Sequence, residues 1–115
     1  MAAARVGRVR DRDSFVALRS TGRRGRSDGI TATWIPSTAT GQTHRHQLAL
    51  AVGRNVGGAV DRNRLRRRLR SSFGALAHEV VAGTFLLGAG PSAAELGFVE
   101  LHAHVDMALQ RAGAR

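Results

Sequence analysis

Residues 47–70, QLALAVGRNVGGAVDRNRLRRRLR, pass from one backbone period to another. Gln47 to Val52 is a short apolar run bounded by turn residues, and it reads as a strand. Gly53 to Gly58 reads as a loop ending in Gly57-Gly58. From Ala59 to about Glu79 the period is helical, because Leu65, Leu69, Phe73 and Leu76 recur at i, i+4, i+8 and i+11 as one apolar stripe. Gly74 weakens the second half of that helix by roughly 1 kcal/mol relative to Ala.

Working outward, Thr84-Phe85-Leu86-Leu87 is a wholly apolar strand of the kind buried on both faces, and Gly88 to Pro91 breaks it. Ser92 with Glu95 forms a capping-box pattern ahead of a final helix marked by Phe98, Leu101, Val105 and Leu109. Upstream, the β-branched run Ile30 to Ile35 reads as a strand stopped by Pro36. Ser37 to Thr43 then reads as a hairpin loop, with residues 47–52 as the returning strand. Alternation sets Ile30, Ala32 and Trp34 on one face and leaves open which face that is. Arg23 to Gly29 reads as a polar turn. Before it, Asp11 or Asp13 caps a short helix carrying Phe15, Val16 and Leu18, ended by Thr21-Gly22. Residues 1–10 are expected to be flexible unless they join an edge of the fold, and 113–115 to be flexible as well. The order α-β-β-α-β-α predicts one small sheet covered by helices, an α+β sandwich spanning residues 1–115 as a single RNA-binding domain.

The partner class follows from charge. Eighteen basic residues, all Arg, stand against eight acids for a formal net charge of +10. Nucleic acid is the default partner of a small domain so basic. The chain has no Cys, which excludes disulfides, thiol catalysis and cysteine zinc sites. No apolar run approaches the ~18–20 residues of a membrane span, and the opening residues lack the apolar stretch of a secretory signal. The expected setting is the cytoplasm, with no membrane partner.

Arg62-Asn63-Arg64-Leu65-Arg66-Arg67-Arg68-Leu69-Arg70 is the densest feature of the chain. On a helix, Leu65 and Leu69 turn to the core. Asn63, Arg66, Arg67 and Arg70 group on a neighbouring face, and Arg64 and Arg68 extend the charge around the outside. Like charges at i and i+4 repel by a few tenths of a kcal/mol. No acid sits among them, whereas a merely solvated face interleaves both signs. A row of guanidinium forks matches phosphate oxygens bidentately.

Ala51 to Arg70 resembles the signature of the bacterial ribonuclease P protein subunit, in which a strand leads through a basic, Gly-containing loop into a helix opening Arg-Asn-Arg. Arg62, Asn63 and Arg64 are that triplet, Arg66, Arg67 and Arg70 the basic positions after it, and Gly57 with Ala59-Val60 keep the spacing before it. Arg12-Asp13-Ser14-Phe15 followed by Gly22 is similar to the family's opening helix and turn. The apolar strand before Pro91 and the final helix fall where the family has them, so the resemblance covers nearly the whole chain. It departs in three places: the loop pair is Arg54-Asn55 rather than two basic residues, Arg19 stands where a second aromatic is common, and Gly90 where a basic residue is. The resemblance implies an α-β sandwich with a left-handed βαβ crossover. It further implies a ribonucleoprotein that removes the 5′ leader of precursor tRNA, with ribonuclease P RNA performing the chemistry through Mg²⁺ bound mainly by that RNA. By it, Arg54, Arg62, Asn63, Arg64, Arg66, Arg67 and Arg70 contact the RNA, and Phe15 and Arg19 line the leader cleft. No small-molecule cofactor and no catalytic side chain are implied.

Other readings are weaker on chemical grounds. Metal-assisted phosphodiester cleavage by protein needs clustered carboxylates. Here Asp11, Asp13, Asp28, Asp61, Glu79, Glu95, Glu100 and Asp106 are scattered, and Asp61 near a helix start is a dipole partner. His102 and His104 are two apart on a helix and diverge, while His44 and His46 lack a third ligand and read as a solvated loop pair. The loop at 53–58 lacks the Lys-Ser/Thr ending of a P-loop. Phe15 has equal claims to core and cleft. The runner-up is a structural RNA-binding protein, ribosomal or chaperone-like, which shares the charge and the Arg helix but does not need the loop-to-Arg-Asn-Arg spacing.

Overall fold

A computed structural model of the chain describes residues 6–36 and 45–115. In chain order the elements are β1 (Val6–Arg8), α1 (Arg12–Thr21), β2 (Arg23–Ser27), β3 (Ile30–Pro36), β4 (His46–Val52), α2 (Ala59–Leu76), β5 (Gly83–Ala89) and α3 (Phe98–Arg111). Single 3-10 turns lie at Arg54–Val56, Ala77–Glu79 and Pro91–Glu95. All six expected elements are present in the expected order, joined by two strands the sequence reading did not assign.

The sheet runs β1-β4-β5-β3-β2. β4 is parallel to both β1 and β5, whereas β3 is antiparallel to β5 and β2. β3 and β4 are therefore not a hairpin: β5 lies between them, with Phe85 paired to Trp34 on one side and Leu48 on the other. The expected loop at 37–43 falls outside the described residues. An apolar strand with Phe85 and Leu87 fully buried needs neighbours on both edges and cover on both faces, and the centre of the sheet supplies both. β4–α2–β5 is thus a βαβ unit.

Helices α2 and α3 cover one face. Ile30, Ala32 and Trp34 point to it and share a core with Leu65, Leu69, Phe73, Leu101, Val105 and Leu109. That settles Trp34 as a core residue, and its indole Nε1–H donates to the Ala112 carbonyl at 2.7 Å. The opposite face of β3 carries Thr33, against which Gly22 at the end of α1 is packed, so α1 lies on that side. Asp11 caps α1 by accepting from the Ser14 amide at 3.0 Å, and of its apolar residues Leu18 is the buried one.

Several expectations need correction. Arg23 to Ser27 is an edge strand rather than a turn. Gly25 and Ser27 face inward and the three arginines are exposed, so a period of two is hidden by a glycine and a serine at the buried positions. A Cβ at Gly25 would stand 2.3 Å from the Ala108 carbonyl oxygen and the Ala112 nitrogen, so α3 lies directly on this backbone. The true turn is Asp28-Gly29, with φ of 39° and 80°. Ser92 and Glu95 do not cap α3: they lie in the Pro91–Glu95 turn, and the helix begins at Phe98 after Gly97. Phe98 is exposed because it precedes the part of α3 that covers the sheet. His46 is buried rather than solvated; its ring meets Phe73 and Phe85, and its Nε2–H donates to the Val80 carbonyl at 3.0 Å. His44 falls outside the described residues. At the chain ends, Val6–Arg8 pairs with β4, Ala114 is fully buried, its carbonyl accepting from the Val81 amide at 2.9 Å, and Arg115 bonds Asp106 and Glu79. Among the described residues no helix is long and apolar enough to cross a membrane.

Candidate nucleic-acid interface

The burial of Leu65, Leu69, Phe73 and Leu76 fixes how α2 is rotated, and therefore where each arginine points. Arg66 and Arg70, one turn apart, line an open groove of about 250 Å³ together with Arg8, Phe15 and the β4 residues Leu48, Ala49 and Leu50. Among the described residues no carboxylate lines it. Arg66 is held in place by donating to Asn63 Oδ1 at 3.2 Å and to the Val52 carbonyl at 3.4 Å. Asn63 thus acts partly by orienting Arg66, a role that Lys or Ala at this position does not supply.

Phe15 stands outside the main core and keeps 37% of its surface exposed. It forms the partition between that groove and a second hollow of about 260 Å³ on α1, lined by Arg12, Val16 and Arg19. Guanidinium groups therefore flank an exposed aromatic ring on both sides. Such a surface can stack a base while bonding the neighbouring phosphates.

The remaining expected residues lie elsewhere on α2 and its approach. Arg54 is exposed in the 3-10 turn before the helix, and Arg64 and Arg67 are exposed on α2. Arg64 and Arg68 border a small pocket with Asp61 against Ala93 and Ala94, on the flank away from the groove. Arg62 is half-buried, and its Nε has no hydrogen-bond partner among the described residues. The arginine run thus divides into a groove flank, an outer ridge and a flank facing α3. Arg66 and Arg70 join Phe15, which the sequence reading assigned to another surface. It missed Arg8 and Val9 altogether; the cue, a basic residue beside isolated valines, gains meaning only once β1 is paired with a strand about 40 residues away.

Among the described residues no three His, Asp or Glu side chains come together as a metal-ligand set. His102 Nδ1 is hydrogen-bonded to Ser72 and His104 Nδ1 to Ser27, each at 2.7 Å, so the two rings serve separate contacts.

Residues 4–113 match the family model described as Ribonuclease P. The ribonuclease P protein component of Acidothermus cellulolyticus is 40% identical over 107 residues, covering 90% of this chain and 86% of that protein. That of Roseiflexus sp. is 31% identical over 116 residues, covering 95% and 88%. In three dimensions the RNase P protein of Staphylococcus aureus superposes with a TM-score of 0.81 at 17% identity, covering 93% of this chain and 95% of that one, a likeness of fold. With the model spanning nearly all of the sequence and its relatives matched along most of their length, this chain belongs to the ribonuclease P protein family.

Proposed function

We propose that this protein is the RNA-binding subunit of a ribonuclease P that trims the 5′ leader from precursor tRNA. In this reading ribonuclease P RNA carries the chemistry and holds the Mg²⁺. Among the described residues no three His, Asp or Glu side chains form a metal-ligand set. What the chain offers is positive charge in fixed places. The observation that carries the reading is the groove joining Phe15 to Arg8, Arg66 and Arg70, a stacking ring among guanidinium groups with no acid among the described residues of its walls. A single-stranded leader fits such a groove, because every base has a face to stack and every nucleotide a phosphate to bond. Arg54, Arg62, Arg64 and Arg67, on the loop and outer parts of α2, then dock on the RNA subunit. Neutralising phosphate repulsion between the two RNAs lowers the Mg²⁺ needed to hold them together.

Reconstitution tests this. Protein freed of RNA should leave precursor tRNA intact at any Mg²⁺ concentration. Adding the ribonuclease P RNA of the same organism should give cleavage at the mature 5′ end, with the protein's contribution largest at low Mg²⁺. Cleavage by RNA-free protein, or an RNA whose activity at low Mg²⁺ ignores the protein, refutes the reading.

A further inference from the structure

The α3-facing flank of α2 meets the start of α3 at a surface that the leader groove does not use. Two contacts fix their relation. Arg68 donates to the Leu96 carbonyl at 3.5 Å, and Ser72, one turn further along α2, is hydrogen-bonded to His102 at 2.7 Å. Between them on α3 lies Phe98, stacked on the His102 ring with centroids 6.3 Å apart and planes 13° from parallel. Phe98 is 43% exposed, and its neighbour Val99 is 81% exposed. Phe98 lies outside the core, so packing does not account for it.

An exposed, pre-stacked aromatic pair, with Arg68 reaching the Leu96 carbonyl two residues before Phe98, suits a nucleotide: ring on ring, phosphate on guanidinium. The acids nearby narrow the choice. Asp61 lies against Gly57 and Glu100 against Gly97, each at the start of a helix, where a carboxylate is a favourable dipole partner. Glu95, three residues before Phe98 in the chain, is exposed. A surface of mixed sign is poor for a bare phosphate track and well suited to one extruded base held by its face. The platform sits on the flank of α2 away from the Phe15 groove, so a leader held in that groove is not its occupant.

We propose that Phe98, backed by His102, is a second stacking platform, taking one unpaired base of the structured RNA on which α2 docks, with Arg68 on an adjoining phosphate. The inference rests on the reading of this chain as an RNA-bound subunit, and adds a contact to it.

The test measures the affinity of wild-type, Phe98→Ala, Phe98→Leu and Phe98→Trp proteins for ribonuclease P RNA from the same organism. Phe98→Ala should bind roughly five- to 150-fold more weakly, Phe98→Leu nearly as weakly, and Phe98→Trp like wild type. Melting temperature should hardly move, since the ring is not in the core. The assembled Phe98→Ala enzyme, at saturating protein, should keep its preference for precursor over mature tRNA. Phe98→Trp adds a second tryptophan to a chain whose own, Trp34, is buried, and its fluorescence should fall when the RNA binds. Normal binding by Phe98→Ala, or full rescue by Phe98→Leu, overturns the stacking platform while leaving the subunit reading intact. So does weakened self-association of Phe98→Ala in sedimentation with RNA affinity unchanged, which marks a contact between copies. Wild-type protein that fails to bind the RNA overturns both.

Discussion

Replacing Phe15 with Ala separates a binding ring from a structural one. A Phe→Ala change in a closed core costs about 3–5 kcal/mol, part of it for the cavity left behind. Phe15 keeps 37% of its surface exposed and borders grooves already open to water, so no closed cavity forms. An aromatic covers upwards of ~150 Å² when fully buried. Allowing for the exposed part, and for what an alanine still covers, leaves roughly 60–70 Å². At ~25 cal/mol per Å² the loss is about 1.5 kcal/mol, which lowers the melting temperature by somewhat under 10 °C. Removal of a stacked base costs about 1–3 kcal/mol, or five- to 150-fold in affinity. The assay compares precursor and mature tRNA binding to enzyme assembled with its RNA. Phe15→Ala should weaken the precursor alone, because mature tRNA has no leader to stack. Arg70→Ala should do the same, since Arg70 lines the same groove, and the double variant should lose less than the sum of the two. Equal losses for both tRNAs, or a fall in melting temperature well beyond 15 °C, would return Phe15 to a structural role. Strict additivity of Phe15 and Arg70 would refute their sharing one nucleotide.

Two glycines should respond in opposite directions. Gly25→Ala drives a methyl into the backbone of α3 and should destabilise by 1–3 kcal/mol or more, whereas Gly74→Ala, with open space around it inside α2, should stabilise by about 0.5–1 kcal/mol. Denaturant melts of the two variants check both signs. Asp11 should make α1 acid-sensitive. The Ser14 hydroxyl and amide hold its carboxyl below the ordinary 3.8, so the cap contributes fully above that pH and is lost as pH falls through the lower folded value. Far-ultraviolet circular dichroism should show α1 signal lost over that window in wild type, and Asp11→Ala, which removes the cap, should flatten the acid transition.

The elements that a chain of this length announces locally were legible, and their partners were not. The stripe from Leu65 to Leu76 gives α2 together with its rotation, and with it the separation of Arg66 and Arg70 from Arg64 and Arg68. Phe15 was visible as a candidate but undecided, because a ring on a short amphipathic helix reads the same whether it meets core or groove. β2 escaped because Gly25 stands where a strand should show a buried apolar residue, and that glycine is explained only by α3, more than 80 residues later. The apparent hairpin failed for a related reason. Two strands and a small-residue loop fit a hairpin locally, yet β5 contributes a more apolar partner to both, and the antiparallel pairing goes to it instead. The groove was lost with the pairing, since its walls come from β1, α1, β4 and α2.

How one helix carries so much uncompensated charge is decided by magnitudes. Arg62–Arg66, Arg64–Arg68 and Arg66–Arg70 repel by a few tenths of a kcal/mol each, together about 1 kcal/mol. Against this stand Leu65, Leu69, Phe73 and Leu76, all buried, each contributing about 1.5–3 kcal/mol. Burial wins several-fold, so α2 holds its arginines apart and in place without needing acids to soothe them. Two of them are further steadied by neutral oxygens rather than carboxylates: Arg66 by Asn63 and Val52, Arg68 by Leu96. A carboxylate partner would have cancelled the charge that phosphate is to meet; a carbonyl orients the guanidinium and leaves that charge whole. Five of the acids stand at helix starts or the C-terminal end, beside Ser14, Gly57, Gly97 and Arg115, and Asp28 lies 3.7 Å from His104 Nε2; among the described residues none lines the groove. It is this sorting of sign by position, more than the net charge of +10, that supports the proposed reading of α2 as a surface for RNA.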